Sequence, residues 1–279
     1  MLAYSCGSYD ILRENDLQNL DRQIQLSNLD GIKHFGVGIY TNGLCENLGI
    51  DMPLKSLEDR MKILSQIRGV DFTFPVISLD ENLLEKQASH FFSKHLKSLE
   101  KSKEKQQKPK KYNLAYVPGT YDLFHAGHLE NLMIAASKSN KLIVGVKSDE
   151  LVESHKDKTP IISAEERIAI LRHFKFVDDV YLSHTRDFNN ANNWIQSKYE
   201  ISIDVIYVGS DLKEDFNSIT NFNIIFTDRD PELMKSRSST AYSKKYLTLS
   251  APSSSKYTGS INSKNQKSTA LDNNFEIDK

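Results

Sequence analysis

Cysteine, long apolar runs and an excess of either charge are all scarce in this chain. Two cysteines, Cys6 and Cys45, among 279 residues cannot build a disulfide scaffold, and they suit a reducing compartment. No window approaches the roughly 20 apolar residues of a membrane-spanning helix. No basic segment followed by an apolar run opens the chain, so no signal peptide is expected. Lys and Arg number 36 against 37 Asp and Glu, for a formal charge of −1. That balance removes the electrostatic case for nucleic acid or an anionic membrane as partner. A cytoplasmic protein with small-molecule partners is expected. Its apolar fraction, 39%, requires that part of the chain lie outside any core.

Two stretches fail as core. KSLEKSKEKQQKPKK, Lys97 to Lys111, is polar and lysine-rich. Its first turns extend a helix that begins near Leu84, and the remainder is a linker, here bounded as 98–112. Residues 250–279 are rich in Ser, Asn and Lys. They cannot offset their ordering entropy and are expected to form a disordered tail. The remaining segments are 1–97 and 113–249.

The later segment alternates strand and helix signals. LAYVPGTYD starts as a short strand and turns at Pro118–Gly119, and a helix from about His128 to Ser139 follows. KLIVGVKSD is a near-continuous apolar run, which suits a parallel strand buried on both faces. Ser163 with Glu166 forms a capping-box pattern that opens a helix through Leu171. FVDDVYL, NNWIQSKY, IDVIYVGSD and FNIIFTD add strand, helix, strand and strand. Strands joined through helices imply right-handed crossovers and a parallel α/β sheet, with ligand expected at the strands' carboxyl ends.

The chain also repeats itself. Gly7 to Leu20 aligns with Gly119 to Leu132 at an offset of 112, and from Phe35 onward the offset is 107. The first copy ends before anything equivalent to IDVIYVGSD or SST. It is therefore expected to be a truncated α/β unit that replaces its missing strands by packing, for instance on the second copy.

One motif carries chemistry. In GTYDLFHAGH a strand and a glycine turn lead to His125 and His128 at a helix start. Three residues apart, both imidazoles face the same way. Helix N-terminal N–H groups and the helix dipole favour phosphate there, and the small Ala126 and Gly127 permit close approach. Imidazole donors at that point stabilise charge that builds on phosphate oxygens.

This motif resembles the HxGH signature of the nucleotidyltransferase superfamily. The segment VGVKSDELVESHKDKTPIISAEER, the GSD turn at Gly209 to Asp211, and the SST cluster at Ser238 to Thr240 narrow the likeness to cytidylyltransferases acting on phosphorylated alcohols. The resemblance covers nearly all of 113–249 and, more weakly, 1–97. It implies a Rossmann-like fold, tandemly duplicated with a truncated first copy. It implies that His125 and His128 contact the nucleotide phosphates, with Gly119, Thr120 and Tyr121 forming the nucleotide-binding turn. Lys158 would serve the CTP phosphates and catalysis, and Lys156 the acceptor phosphate. Gly209, Asp211, Ser238, Ser239 and Thr240 would complete the nucleotide site, together with Arg229. At the arginine the chain departs from the family's Arg-Thr-x-Gly pattern, because Asp230 follows and the loop is longer; Lys235 or Arg237 is an alternative source of that charge.

The implied reaction joins CTP and a phosphorylated alcohol into a CDP-alcohol and pyrophosphate, with Mg2+ on the phosphates and no dedicated metal-ligand residues. Glycerol 3-phosphate is the favoured acceptor and ethanolamine phosphate the next. An ATP-dependent adenylyltransferase of the same superfamily is the near alternative. A non-catalytic nucleotide-binding regulatory or assembly protein is the alternative of another class. In the first copy Arg13 and Asp16 stand where His125 and His128 would be, and Gly49 and Asp51 where Lys156 and Lys158 would be, so it is expected to be catalytically dead. Its expected uses are packing or oligomerisation, and the family likeness implies a homodimer. Asp122 is weighed evenly between holding the turn and touching ligand, and Trp194 is read as a core anchor over a base-stacking platform.

Overall fold

A computed structural model describes residues 2–103, 109–156, 159–216, 219–228 and 239–250. Side chains are described for all of these except 101–103, 156, 239–240 and 247–250.

The first half runs β1 (Ala3–Gly7), α1 (Glu14–Leu29), β2 (Phe35–Tyr40), α2 (Asn42–Asn47), α3 (Leu57–Leu64), β3 (Phe72–Val76) and α4 (Glu81–Lys103). Its three strands form a parallel sheet in the order β1-β2-β3. The second half runs β4 (Tyr112–Gly119), α5 (Ala126–Lys138), β5 (Ser139–Lys147), α6 (Asp149–Lys156), α7 (Ala164–Arg172), β6 (Asp179–Ser183), α8 (Phe188–Tyr199), β7 (Val205–Gly209), a 3-10 turn and α9 (Lys213–Phe216), β8 (Ile224–Thr227) and α10 (Ser239–Ser250). Its sheet is parallel, in the order β6-β5-β4-β7-β8. The expected Rossmann-like α/β architecture is present, and its strand order reverses between β4 and β7, where such folds place ligands.

Period-2 alternation explains how β4 is buried on both faces. Ala115 and Val117 join the larger core, which also takes side chains from the first half. Leu114 and Tyr116 join a second core capped by α8, with Phe188 and Ile195. Trp194 packs at its margin against Tyr181. In the first half α4 takes the place of α8, laying Leu84, Phe91 and Phe92 on Phe72 and Phe74.

The first turns after Lys97 extend a helix, as expected: α4 runs to Lys103, and β4 starts at Tyr112. Two local expectations need adjustment. Helix α5 begins at Ala126 with His125 as its N-cap, not at His128. Ser163 caps α7 by accepting from Glu166 N–H. The Glu166 carboxylate, however, does not return to the cap; it crosses to the first half and accepts from Arg13 Nη1 and from Glu14 N–H, each at 3.2 Å.

Contacts recur in both halves at the two sequence offsets. Asp122 accepts the N–H groups of Ile161 and Ile162, and Asp10 those of Leu54 and Lys55. Asp178 accepts from Leu142 N–H, and Asp71 from Phe35 N–H. Ser163 and Ser56 cap equivalent helices. Buried Arg167 donates to the Thr120 and Lys147 carbonyls and to Asp149. Buried Arg60 donates to the Ser8 and Tyr40 carbonyls and to Asn42.

The interface between the halves is also built from exchanged pairs. Ile67 and Phe174, equivalents 107 residues apart, form an antiparallel bridge with each other. Arg68 N–H donates to the His173 carbonyl at 2.8 Å, and Lys175 N–H to the Gln66 carbonyl at 2.9 Å. Arg68 Nη2 donates to the Val177 carbonyl and Lys175 Nζ to the equivalent Val70 carbonyl. A residue facing its own equivalent, with both partners' contacts exchanged, marks an approximate two-fold axis through that bridge.

Candidate active site

The site grows from the turn that ends β4. Gly119 leaves no room for a side chain, because a Cβ there would lie 2.7 Å from the Tyr121 ring. The backbone then takes left-handed values at two non-glycine residues, Tyr121 (φ 61°) and Leu123 (φ 48°). Such values are held only where the surroundings fix them. Here Tyr121 Oη donates to the Val117 carbonyl at 3.0 Å, Arg167 holds the Thr120 carbonyl, and Asp122 fastens the 161–162 backbone. Asp122 is thus a structural tie of the turn.

The turn delivers His125 as N-cap of α5, where its Nδ1 accepts from Gly127 N–H at 3.1 Å. In the neutral ring the proton therefore sits on Nε2, which acts as a donor. Gly127 N–H is occupied by this cap, so close approach of a ligand falls to the rest of the first turn. The His125 and His128 rings stack with centroids 3.8 Å apart. His125 is 1% exposed, whereas His128 is only half buried. Tyr121 and Phe124 wall the His128 ring, and Tyr242 of α10 lies 5.7 Å from His125.

The other wall is the end of β7, where buried Gly209 opens the 3-10 turn that carries exposed Asp211. Strands β4 and β7 pair through Ala115 opposite Val205 and Tyr116 opposite Ile206, so Gly119 and Gly209 end neighbouring strands at the reversal. Thr227, at the end of β8, donates to Asn131 on α5 at 2.8 Å and ties that edge of the sheet to the histidine helix. A second polar group gathers at the ends of β5 and β6, where Lys147, Ser183, Thr185 and Arg186 rim a narrow cleft over Tyr116 and Phe188.

Several expected site residues lie outside the described residues: Lys158, Arg229 and Ser238, and with them Asp230, Lys235 and Arg237. Lys156 ends α6, and Ser239 and Thr240 open α10, but their side chains are likewise outside the description. Sequence patterns missed Arg167, Asn131, Thr227 and Tyr242. The Glu-Arg pair at the start of α7 was the one available signal for Arg167.

Among the described residues no cluster of three or more His, Cys, Asp or Glu could hold a metal ion, and no helix is long and apolar enough to cross a membrane. Imidazole and N–H donors dominate the site, a set suited to anionic oxygen.

Residues 116–257 match the family model described as cytidylyltransferase-like. No curated protein matches the chain. Among solved structures, the crystal structure of the lipopolysaccharide core biosynthesis protein from Thermoplasma volcanium GSS1 is similar over 42% of this chain and 98% of its own, at 23% identity and a TM-score of 0.34.

Proposed function

Because the chain belongs to the cytidylyltransferase-like family, we propose that it is a nucleotidyltransferase that moves CMP from CTP to a phosphorylated alcohol, with glycerol 3-phosphate the favoured acceptor. The observation that carries this reading is the stacked His125–His128 pair at the N-terminus of α5. An acceptor phosphate oxygen forms a bond to the α-phosphorus while the bond to the β-phosphate bridging oxygen breaks. Pyrophosphate leaves, and no covalent enzyme intermediate forms. The histidines donate to phosphate oxygens as charge shifts toward the leaving group. His128, half exposed, meets the nucleotide directly. His125 aligns it from behind.

In this proposal Thr120, Tyr121, Gly209 and Asp211 line the nucleotide cleft, and Ser238, Ser239, Thr240, Arg229 and Lys158 close over the triphosphate. Lys156 serves the acceptor, with Lys147 and Arg186 at the neighbouring cleft. Mg2+ would be carried in on the phosphates of CTP and would offset their charge. The compartment we propose is the cytoplasm.

We further propose that 1–97 is a degenerate, truncated copy of the same unit. Its helix N-terminus is already satisfied by carboxylates: Asp16, standing where His128 would be, accepts from Arg13 N–H, and Glu166 accepts from Glu14 N–H. A triphosphate would meet two negative charges there. The expected homodimer is then realised inside one chain, about the Ile67–Phe174 axis.

The test is pyrophosphate release from CTP or ATP crossed with a panel of phospho-alcohols. CTP with glycerol 3-phosphate should be the productive pair, and His128→Ala should lose about two to four orders of magnitude in kcat with its melting temperature unchanged. Near-wild-type turnover by folded His128→Ala would refute the site. Binding of CTP without any pyrophosphate would favour the non-catalytic alternative.

A further inference from the structure

In the second half, residue 162 is an isoleucine, 1% exposed and part of the core. Its equivalent in the first half is Lys55, which is 2% exposed. Three elements surround its ammonium. From the turn after β1, the Asp10 carbonyl accepts from Nζ at 2.6 Å, and the Asp10 carboxylate adds an attractive charge. From α3, Asp59 attracts and Arg60 repels. From the second half, the ring of Tyr242 lies beneath it, 5.2 Å from Nζ to the centroid.

Tyr242 belongs to α10, the helix opened by Ser239 and Thr240. The same ring meets His125, whose own neighbour is His128. A buried cation of the first half thus stands one aromatic ring away from the histidine pair. A cation held over an aromatic face, away from water, is firmly placed.

The approximate two-fold axis supplies a second, independent indication. Glu166 on α7 reaches the N-terminus of α1 at Arg13 and Glu14. Exchange of the halves maps that arrangement onto Asp59 of α3 and the N-terminus of α5 at His125 and Ala126. The Lys62–Glu130 ion pair, at 2.7 Å, holds α3 beside α5. The face of the first half that carries Lys55 and Asp59 is therefore the face turned toward the histidines.

We propose that Lys55 is a positioning residue of the active site: through Tyr242 it docks α10 against His125, and its charge helps the site receive a nucleoside triphosphate. The first half is then part of the machinery and not only a packing surface. The inference rests on the assignment of His125 and His128 to phosphate.

The test uses the full chain with Lys55→Met, Lys55→Arg and Tyr242→Leu. Two readouts apply: titration of the His125 and His128 imidazoles by NMR, and the Kd for CTP with Mg2+. Lys55→Met removes a like charge near the imidazoles and should raise their apparent pKa by about half a unit. It should weaken CTP by about tenfold. Lys55→Arg should restore both readouts, and Tyr242→Leu should reproduce the loss of affinity with Lys55 intact. Lys55→Met with an unchanged imidazole titration and CTP affinity within about twofold of wild type would overturn the proposal, as would Lys55→Arg behaving like Lys55→Met. If wild type binds no CTP, the proposed function fails, and the imidazole titration alone decides this inference.

Discussion

Arg167 and Arg60 hold equivalent backbone carbonyls in the two halves, yet only Arg167 holds the turn that carries the histidines. Replacing Arg167 by methionine removes donors to the carbonyls of Ile162, Thr120 and Lys147 and strips Asp149 of its partner. The arginine is fully buried, while the Asp149 side chain is 31% exposed, so water recovers part of the carboxylate's loss. A broken buried pair costs about 3–5 kcal/mol, and each orphaned carbonyl about 1–3 kcal/mol. With relaxation and the solvated Asp149, a net loss of about 4 kcal/mol is expected. For a chain of this size that lowers Tm by about 10 °C. Arg60→Met frees the Ser8 and Tyr40 carbonyls and Asn42 and should lower Tm by less, because none of these partners is charged. Their effects on turnover should separate. Freeing Thr120 lets the strained Tyr121–Leu123 backbone relax, and a displacement of about 1 Å there costs about a hundredfold in rate. Arg60→Met should stay within about tenfold. The assay is pyrophosphate release at 20 °C, well below both transitions, beside calorimetric melting of each variant. Equal activity losses in the two variants, or an Arg167→Met protein that melts with wild type, would refute the assigned role of this clamp.

Three further outcomes are expected. The chain should be a monomer by light scattering at micromolar concentration, and Phe174→Asp should lower Tm by about 10 °C or more, because it buries an unpaired charge on the axis; a stable wild-type dimer would refute the proposal that the internal pairing takes the place of the homodimer. Asp122→Asn keeps one acceptor of two and should lower stability by about 1–2 kcal/mol, measurable as a shifted urea midpoint; no shift would deny that its carboxylate ties down residues 161 and 162. Burial pushes the Lys55 ammonium from its ordinary 10.5 to about 8, so between those pH values the unfolded chain holds a proton that the folded chain has lost, and wild-type stability rises across that window. Lys55→Met should therefore be more stable than wild type by up to about 3 kcal/mol at pH 7, an advantage that shrinks from pH 8 to 10.5, and a constant difference across that range would refute it.

The regular elements were legible because their signals are local. Apolar runs such as Leu142–Val146 mark strands buried on both faces, and Ser163 marks a helix start. The sheet class follows from their alternation. The histidine motif was legible for the same reason, since a strand, a glycine turn and a helix start occupy one short stretch. What escaped the sequence is contact between distant segments. Glu166 reads as the return arm of a capping box, yet it spans 153 positions to Arg13. Lys55, between Leu54 and Ser56, reads as an ordinary loop lysine, and nothing in its neighbours announces burial. Tyr242 reads as one apolar residue of a short helix. These residues acquire meaning only when the two halves close on each other, and one-dimensional periodicity carries no information about that closure.

The duplication separates scaffold from chemistry within one molecule. The pairs that keep their residue type or their bonding are those that hold turns and strand ends: Asp10 with Asp122, Arg60 with Arg167, Ser56 with Ser163, and Asp71 with Asp178. Three of the pairs that differ in charge or ionisation lie elsewhere. Arg13 replaces His125, Asp16 replaces His128, and Lys55 stands opposite Ile162. These positions lie at the helix N-termini or in the shell around them. A random loss of function would leave a vacant anion site at the start of α1. Instead, Asp16 and Glu166 fill that position with carboxylate, which disfavours an anion there and stabilises α1 through its dipole. The buried Lys55 works against stability, so packing alone gives no reason for it. Its position over Tyr242, on the side facing His125, supplies one. On the proposed reading, the half without a nucleotide site holds a charge where the other half uses it.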